Sequence, residues 1–199
     1  MATRGVNLAA PRLVLASASP RRHELLGQLG VVPDRVAAPD IDEQPRLRER
    51  PRDYALRVAV EKAHAVERAD GEAVIAGDTT IALGPRILPP AETESVQAEL
   101  LRLLSGRRHH VLCAVCVIDL GGHARTRLVD TLVQFKPLTP AEIAAYIACG
   151  EGLGKAGGYA IQGRAAGFVK RIDGSYSGVV GLPLYETRAL LRASGLALG

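Results

Sequence analysis

The chain has 199 residues, 47% hydrophobic and 23% charged, which is the composition of an ordinary globular protein rather than of a disordered or fibrous chain. Its longest unbroken apolar run, residues 111–118, is far too short to span a membrane, and the amino-terminal segment lacks the long apolar stretch of a signal peptide. We therefore expect a cytoplasmic protein without a membrane partner.

The charge and residue usage bear on the partners. The net charge of +4 favours anionic ligands only weakly, because basic and acidic residues are interleaved. Five Tyr, two Phe and no Trp offer little surface for stacking nucleotide bases, so we expect no stable nucleic-acid partner. Cys113 and Cys116 lie three residues apart in a predicted strand, where they point to opposite faces and cannot share a metal.

The amino-terminal part of the chain predicts a strand followed by a helix. Residues 12–16 (RLVLA) are apolar enough for a buried strand. Ser19 is a suitable N-cap, Pro20 a suitable first helical residue, and Gly30 a suitable stop.

The remaining elements alternate in the same way. In chain order we expect a strand over residues 31–38, a helix over 53–69, a strand over 73–77 that ends at Asp78, a turn near Gly84, a helix that stops at Gly106, a hairpin of strands over 109–120 and 124–135, a helix from the capping box at Thr139 to Gly150, a strand over 168–172 and a last helix carrying Leu184, Leu190 and Leu191. This alternation predicts an α/β fold. We expect a single domain over residues 1–199, in which any two lobes share one sheet.

The first helix start could bind an anion. Its unpaired backbone N–H groups and positive dipole end attract negative charge, and Ser17 and Ser19 add hydroxyl groups. Arg21 and Arg22 place two cations where the helix dipole disfavours them, which makes sense if an anion binds there. A capped surface helix with solvated arginines is the alternative.

Two acidic segments could serve catalysis or metal binding. Asp78 follows a buried strand, where α/β proteins place ligands, and could hold a metal or accept a proton from water. The turn with Asp40, Asp42 and Glu43 offers oxygen ligands suited to Mg²⁺ or Mn²⁺. Either segment could equally be a solvated turn.

The segment over residues 155–163 (KAGGYAIQG) is the third candidate. Closely spaced glycines let the backbone approach a ligand, and the Gln162 amide carries both a donor and an acceptor able to read a base edge. A flexible surface loop is the alternative.

Seven blocks of the sequence carry a resemblance. In order they are LVLASASPRRHELL, DIDE, RVAVEKAHAV, GDTTIAL, LLSGRRHHV, GKAGGYAIQG and GSYSGVVGLPLYET. Together they resemble the Maf family of nucleoside triphosphate pyrophosphatases, and the KAG-Y-x-IQG block resembles the subgroup acting on dTTP and UTP. The resemblance implies an elongated α/β structure (Maf/ITPase-like) with a mixed sheet flanked by helices and a deep cleft between two lobes. It also implies hydrolysis of the α–β phosphate bond to a nucleoside monophosphate and pyrophosphate, with modified pyrimidine nucleotides as further candidate substrates.

The resemblance also assigns roles to residues. Asp78 would be the proton acceptor that activates water, and Glu43 with Asp78 would hold a divalent cation, Mg²⁺ or Mn²⁺. Three positions would govern substrate choice: Arg21, Thr79 and Gln162. Four would line the phosphate path: Ser17, Arg22, Lys62 and Lys155. The oligomeric state stays open, with a homodimer as one alternative.

Two positions depart from the family pattern. Pro90 stands where the family usually has a lysine, and Gly154 stands where many relatives carry Asp. The loss of one positive charge leaves a nucleotide-sensing regulatory protein of cell division, with weak or lost catalysis, as the alternative. Nucleic-acid binding through the excess of arginines is a third possibility, and it predicts association that weakens steeply with salt.

Overall fold

A computed structural model describes residues 10–196, and these contain seven strands of one mixed sheet with helices against it. The expected absence of a signal peptide falls partly on residues 1–9, which lie outside the described residues. The elements in chain order are β1 (Arg12–Leu15), α1 (Pro20–Gln28), β2 (Arg35–Val36), α2 (Pro51–His64), β3 (Glu72–Leu83), β4 (Arg86–Leu88), α3 (Glu94–Leu104), β5 (Arg108–Ile118), β6 (Ala124–Phe135), α4 (Pro140–Ala148), a 3₁₀ helix (Arg164–Phe168), β7 (Val169–Asp173), α5 (Tyr176–Val180) and α6 (Leu184–Ala193).

The strands lie in the order β2-β1-β3-β5-β6-β7, with β4 also paired to β3. β1 is parallel to β2 and β3, whereas β4 to β7 form antiparallel pairs. The predicted α/β class and the predicted hairpin, β5 with β6, are therefore confirmed. The capping box is confirmed as well, because Thr139 Oγ1 accepts from the Glu142 amide and Glu142 Oε2 accepts from the Thr139 amide.

Strand β3 was predicted to end at Asp78, and this is wrong. The strand runs to Leu83, because Thr79, Thr80 and Ile81 are strand-favouring residues that pair with β5 without interruption. On its other edge, β3 pairs with β1 only as far as Ile75 and with β4 only from Ile81 onward. Asp78 therefore lies in mid-strand beside a gap in the strand pairing.

The two faces of the sheet are covered by different helices. Helix α2 presents Ala55, Ala59 and Ala63, all fully buried, and these small side chains let the helix lie close to β3 and β5. On the opposite face, α1 and α6 bury Leu26 and Leu191 against the sheet. Burying one such leucine stabilises the fold by about 2 kcal/mol. The sheet is thus fixed from both sides around the gap.

Two predicted boundaries are wrong. The predicted strand over residues 31–38 is reduced to Arg35–Val36, since Pro33 interrupts the run and lacks the N–H that a longer strand would need. The second helix begins at Pro51 instead of residue 53, since proline suits the first helical turn, and it ends at His64 instead of residue 69. Helix α5 and the 3₁₀ helix are not among the predicted elements.

The two cysteines of strand β5 lie on opposite faces, as predicted. Cys116 packs against the face covered by α2, whereas the Cys113 Sγ atom lies 3.6 Å from Thr79 Oγ1. Burial raises the pKa of each thiol to about 11, so both are neutral at pH 7. Within residues 10–196, no helix is both long and apolar enough to cross a lipid bilayer.

Candidate active site

Two cavities meet at Asp78 and Thr79, in the gap beside β3. The first, about 190 Å³, is called the glycine-loop cavity; its lining includes Ser19, Arg21, Arg22, Lys155, Tyr159 and Gln162. The second, about 480 Å³, is called the acidic cavity; its lining includes Glu43, Tyr54, Thr80 and Glu92. Residues distant in the sequence therefore surround the same carboxylate.

A short bridge of backbone separates the two cavities. Residues 89–91 pair with residues 154–157: the Ala91 amide donates to the Lys155 carbonyl at 3.0 Å, and the Gly154 amide donates to the Ala91 carbonyl at 2.8 Å. Pro90 lies at the centre of this bridge and lines both cavities. Pro90, where the resemblance implies a lysine, is therefore at the junction of the two cavities.

Asp78 is 6% exposed, and both of its carboxylate oxygens accept hydrogen bonds. Oδ1 accepts from Lys62 Nζ at 3.2 Å, and Oδ2 accepts from Thr80 Oγ1 at 2.7 Å. A carboxylate oxygen has more than one lone pair, so each retains capacity for a further contact. A carboxylate held in this way, with cavities on both sides, can accept a proton from a water molecule.

Lys62 joins Asp78 to Glu43. Its ammonium lies 2.7 Å from Glu43 Oε2 as well as 3.2 Å from Asp78 Oδ1, and its side chain is 11% exposed. Within residues 10–196, no three or more acidic, His or Cys side chains are grouped so as to hold a metal by themselves. Two carboxylates, completed by oxygens of a substrate phosphate, are nevertheless the usual donor set for Mg²⁺. The residues thus fit a cation that binds with a nucleotide, and Lys62 contacts the same two carboxylates.

Only Glu43 of the acidic turn reaches this centre. Asp42 Oδ1 instead accepts from the Gln44 amide at 2.9 Å, which is a local turn contact. Asp40 is exposed.

The Arg22 guanidinium donates hydrogen bonds to three protein oxygens. Its Nε donates to the Gly181 carbonyl at 3.0 Å, Nη1 to Ser17 Oγ at 2.9 Å and Nη2 to Thr79 Oγ1 at 3.4 Å. Ser17 Oγ also accepts from the Ser19 amide, whereas the Ser19 side chain makes no cap hydrogen bond. Arg22 therefore ties the start of α1 to β3 and to the residue after α5.

Arg21 and Lys155 differ from Arg22. Both are partly buried at the glycine-loop cavity, and within residues 10–196 neither has an acidic partner or a side-chain hydrogen bond. Burial lowers the pKa of Arg21, and neighbouring Arg22 lowers it further. Burial likewise lowers the pKa of Lys155, with Arg21 contributing. Glu24 opposes part of the shift at Arg21 but forms no ion pair with it. Neighbouring cations without ion-pair partners form a site that an anion would stabilise.

The glycine loop is not a flexible surface loop, because residues 157–161 are buried. Gly157 and Gly158 have φ values of +66° and +74°, a conformation that favours glycine. The Gln97 side chain, fully buried, donates from Nε2 to the Gly158 carbonyl at 3.1 Å. Packing and a buried hydrogen bond therefore fix the loop that carries Lys155.

Two tyrosines hold the second half of the loop. The Ala160 amide donates to the Tyr146 hydroxyl at 3.0 Å, and the Tyr159 hydroxyl lies 2.8 Å from His109 Nε2. Burial raises the Tyr159 pKa above its usual range and lowers the pKa of His109 to about 4, so both are neutral at pH 7. Gln162 follows this fixed segment with an exposed side chain at the cavity rim.

Tyr54, Thr80 and Gln97 belong to the site but are not among the predicted site residues. Tyr54 lies eight residues before Lys62 on α2, so helical spacing places both on one face, and Thr80 lies two residues after Asp78 on the same face of β3. Both spacings can be read from the sequence and point to these two residues. Burial raises the Tyr54 pKa to about 12, with Asp78 and Glu43 contributing, so its hydroxyl remains a donor. No sequence signal connects Gln97 with the glycine loop.

Comparison with known proteins agrees with the seven sequence blocks. A family model described as "Maf-like protein" matches residues 12–194. A protein of Sphingopyxis alaskensis named dTTP/UTP pyrophosphatase is 60% identical over 95% of this chain and all of that protein. Proteins of the same name from Novosphingobium aromaticivorans and Caulobacter vibrioides are 60% and 57% identical, each over 94% of this chain and over 93% and 97% of theirs.

A solved nucleoside triphosphatase (dITP/XTP pyrophosphatase) of Mycobacterium abscessus has a TM-score of 0.42 and 19% identity, over 62% of this chain and 74% of that one, and is too distant to support an argument. The family match covers nearly the whole of the chain, including every residue that lines the two cavities. The chain belongs to the Maf family.

Proposed function

We propose that this protein hydrolyses the α–β phosphoanhydride bond of dTTP and UTP, releasing the nucleoside monophosphate and pyrophosphate. One observation carries the proposal: Asp78 lies where a cavity with two unpaired cations meets a cavity lined by carboxylates. The name shared by the similar proteins supports the choice of nucleotides. Modified pyrimidine nucleotides would be further substrates.

The proposed step uses Asp78 as the proton acceptor. As the water oxygen bonds to the α-phosphorus, Asp78 takes a proton from that water, and the bond from the α-phosphorus to the bridging oxygen breaks. Pyrophosphate leaves with the electron pair of the broken bond. Lys155, which has no ion-pair partner within the described residues, would stabilise the negative charge of the phosphates.

Ser17, Arg22 and Lys62 would take part differently. Because Arg22 and Lys62 already donate to protein oxygens, they can contact a phosphate only by sharing or exchanging those partners. We propose that they mainly fix Thr79, Glu43 and Asp78 along the phosphate path. Ser17 Oγ, held by Arg22, fixes the turn before α1.

We assign the divalent cation, Mg²⁺ or Mn²⁺, to Glu43 and Asp78. When bound, the cation would neutralise part of the charge of the polyphosphate. Before the cation binds, Lys62 would keep the two carboxylates close together and limit their repulsion.

We assign base recognition to Arg21, Thr79 and Gln162, which line the same cavity. The amide of Gln162 carries a donor and an acceptor, and a pyrimidine with adjacent carbonyl and N–H groups can pair with both. The buried segment before Gln162 would fix the position of that amide.

The test is a panel of nucleoside triphosphates with Mg²⁺, with and without EDTA, in which pyrophosphate release is measured. We expect dTTP and UTP to be the best substrates and EDTA to stop the reaction. Asp78→Asn keeps the shape of the side chain but removes its basicity, so kcat should fall at least about 100-fold while nucleotide binding persists. Full turnover by Asp78→Asn, or no pyrophosphate from any nucleotide, would contradict the proposal.

A nucleotide sensor is the second candidate, and one observation favours it. Pro90 lies at the junction of the two cavities and carries no charge there. Tight nucleotide binding without pyrophosphate release by the unmodified protein would support the sensor instead.

A further inference from the structure

The segment that carries Glu43 is held down although it has no regular secondary structure. Residues 43–49, here called the acidic loop, contain neither helix nor strand, and Leu47 at the tip is 94% exposed. Such a loop is ordinarily mobile. Its contacts with α2 are therefore what determines where the Glu43 carboxylate lies.

Arg57 makes the strongest of these contacts. Its Nε and Nη2 atoms donate to the two carboxylate oxygens of Glu49 at 2.6 and 2.8 Å, a bidentate pair in which the side chains are only 12% and 9% exposed. Nη1 donates to Glu61 at 2.8 Å, and Nη2 also donates to the Gln44 carbonyl at 3.2 Å. Arg57 thus holds the acidic loop at two points: at Glu49, its last residue, and at Gln44, next to Glu43.

Tyr54 makes the contact at Glu43 itself. Its hydroxyl donates to the Glu43 carbonyl at 2.9 Å, and the Arg57 guanidinium lies over its ring, 5.4 Å from the centroid. Tyr54 and Arg57 are three residues apart on α2, so they share the helix face that meets the loop. The same helix supplies Lys62, which binds the Glu43 carboxylate.

We propose that Arg57 and Tyr54 are positioning residues that hold Glu43 beside Lys62 and Asp78 and so set the affinity of this site for a divalent cation. The inference rests on the proposed function only for its effect on turnover. Ordering a loop costs conformational entropy, and a metal ligand on a loosened loop would meet that cost on every binding event. Partners that orient metal ligands from behind commonly change metal affinity about 10–100-fold.

Two variants isolate the two contacts. Tyr54→Phe removes only the hydroxyl and keeps the ring beneath Arg57, whereas Arg57→Lys keeps the charge but loses the bidentate geometry. Arg52→Ala is the matched control: this arginine also lies on α2, its side chain is 57% exposed, and it pairs with Asp130 of β6 at 2.8 Å rather than with the loop. Glu43→Gln shows how much affinity the carboxylate itself provides.

Three readouts separate positioning from a merely structural role: amide hydrogen exchange over residues 42–50, Mn²⁺ affinity in the presence of a non-hydrolysable dTTP analogue, and the Mg²⁺ concentration for half-maximal turnover. In Arg57→Lys we expect at least about tenfold faster exchange, about tenfold weaker Mn²⁺ binding and a rate restored by excess Mg²⁺, with the nucleotide KM unchanged. Tyr54→Phe should show the same changes with smaller amplitude, and Arg52→Ala none.

Mn²⁺ affinity that stays unchanged in Arg57→Lys and Tyr54→Phe overturns the inference, even if exchange becomes faster, because Arg57 would then only stabilise the fold. Unchanged affinity in Glu43→Gln overturns it as well. The Mn²⁺ titration decides the matter even if the protein hydrolyses no nucleotide, so a failure of the proposed function is recognised separately.

Discussion

The two sides of the cleft use the same residue types in opposite ways. On the acidic side, Lys62 bonds to two carboxylates, whereas on the glycine-loop side Lys155 has no counter-charge within the described residues. Within the glycine-loop side, Arg22 and Arg21 differ in the same manner, since the first is hydrogen-bonded to three protein oxygens and the second to none of the described ones. Lys62 and Arg22 therefore have protein partners before any ligand binds, whereas Lys155 and Arg21 do not, and the second carboxylate at Lys62 leaves negative charge for a cation.

Whether a charged residue is paired should decide whether it contributes to the stability of the fold or to ligand binding. Paired charges contribute to the stability of the fold, because removing one partner leaves the other buried and uncompensated. Unpaired cations contribute to ligand binding and can even reduce stability. Substitutions of matched paired and unpaired residues therefore test this distinction.

The largest effect should come from the packing beneath the glycine loop. A Cβ atom on Gly152 would lie 2.0 Å from the Gly158 carbonyl oxygen and 2.2 Å from Gln97 Nε2. Gly152→Ala should therefore lower the free energy of unfolding by about 4 kcal/mol, measured by urea denaturation. Gly167→Ala, where a Cβ would meet nothing within 4 Å, is the control and should change little. If both variants are equally stable, the glycine loop adjusts to the added methyl group at little cost in free energy.

The next effect compares the two lysines directly. Lys62→Met leaves Glu43 and Asp78 facing each other without the ammonium, so we expect a loss of about 3 kcal/mol in the free energy of unfolding. Lys155→Met should leave stability unchanged or slightly higher and raise the nucleotide KM about tenfold. Denaturation and steady-state kinetics on both variants check this. The distinction between the sides fails if Lys155→Met is the more destabilised.

The two arginines should differ in the same direction by a smaller amount. Arg22→Ala removes three hydrogen bonds, one of them long, and should cost about 2 kcal/mol of stability. Arg21→Ala should leave the thermal midpoint unchanged while the KM or the preference among nucleotides changes. An Arg21→Ala protein with the original nucleotide profile would remove Arg21 from base recognition.

The smallest effect is a pH dependence of stability beneath the glycine-loop side. Burial lowers the pKa of His109 to about 4 from 6.5, so between these values the unfolded chain binds a proton that the folded chain does not. The free energy of unfolding should therefore fall by about 1.5 kcal/mol between pH 7 and pH 5 through this residue. His109→Gln should remove that part of the slope, and substitution of the exposed His23 by Gln should not. If the pH dependence of the free energy of unfolding is unchanged in His109→Gln, groups other than His109 cause it.

Much of this architecture could be predicted from the sequence because its signals are local. The hairpin, the capping box and the start of α1 all follow from residues a few positions apart. The continuation of β3 through Asp78 was missed because a turn-forming Asp was read as the end of the strand, whereas pairing with β5 decides the matter. Pairing between strands 30 or more residues apart leaves little trace in local sequence.

The same reasoning explains what could be predicted of the site. The residue types at α1, Asp78 and the glycine loop predicted the groups that line the cavities. The division into paired and unpaired cations could not be predicted, because Lys62 and Lys155 look alike until the distances to carboxylates are known. Gln97, likewise, is fully buried on an otherwise ordinary amphipathic helix.

The gap in strand pairing between β1 and β4 bears on how the sequence of this protein can vary without loss of the site. A reactive carboxylate that sits on a central strand inherits that strand's rigidity, so its coordinates do not depend on the length or sequence of any neighbouring loop. Insertions could therefore alter the rims on either side, and with them the preferred base, while the catalytic centre keeps its place. Lengthening β1 or β4 by a few residues would do the opposite, since a continuous ladder along that edge would bury Asp78 and close off both cavities.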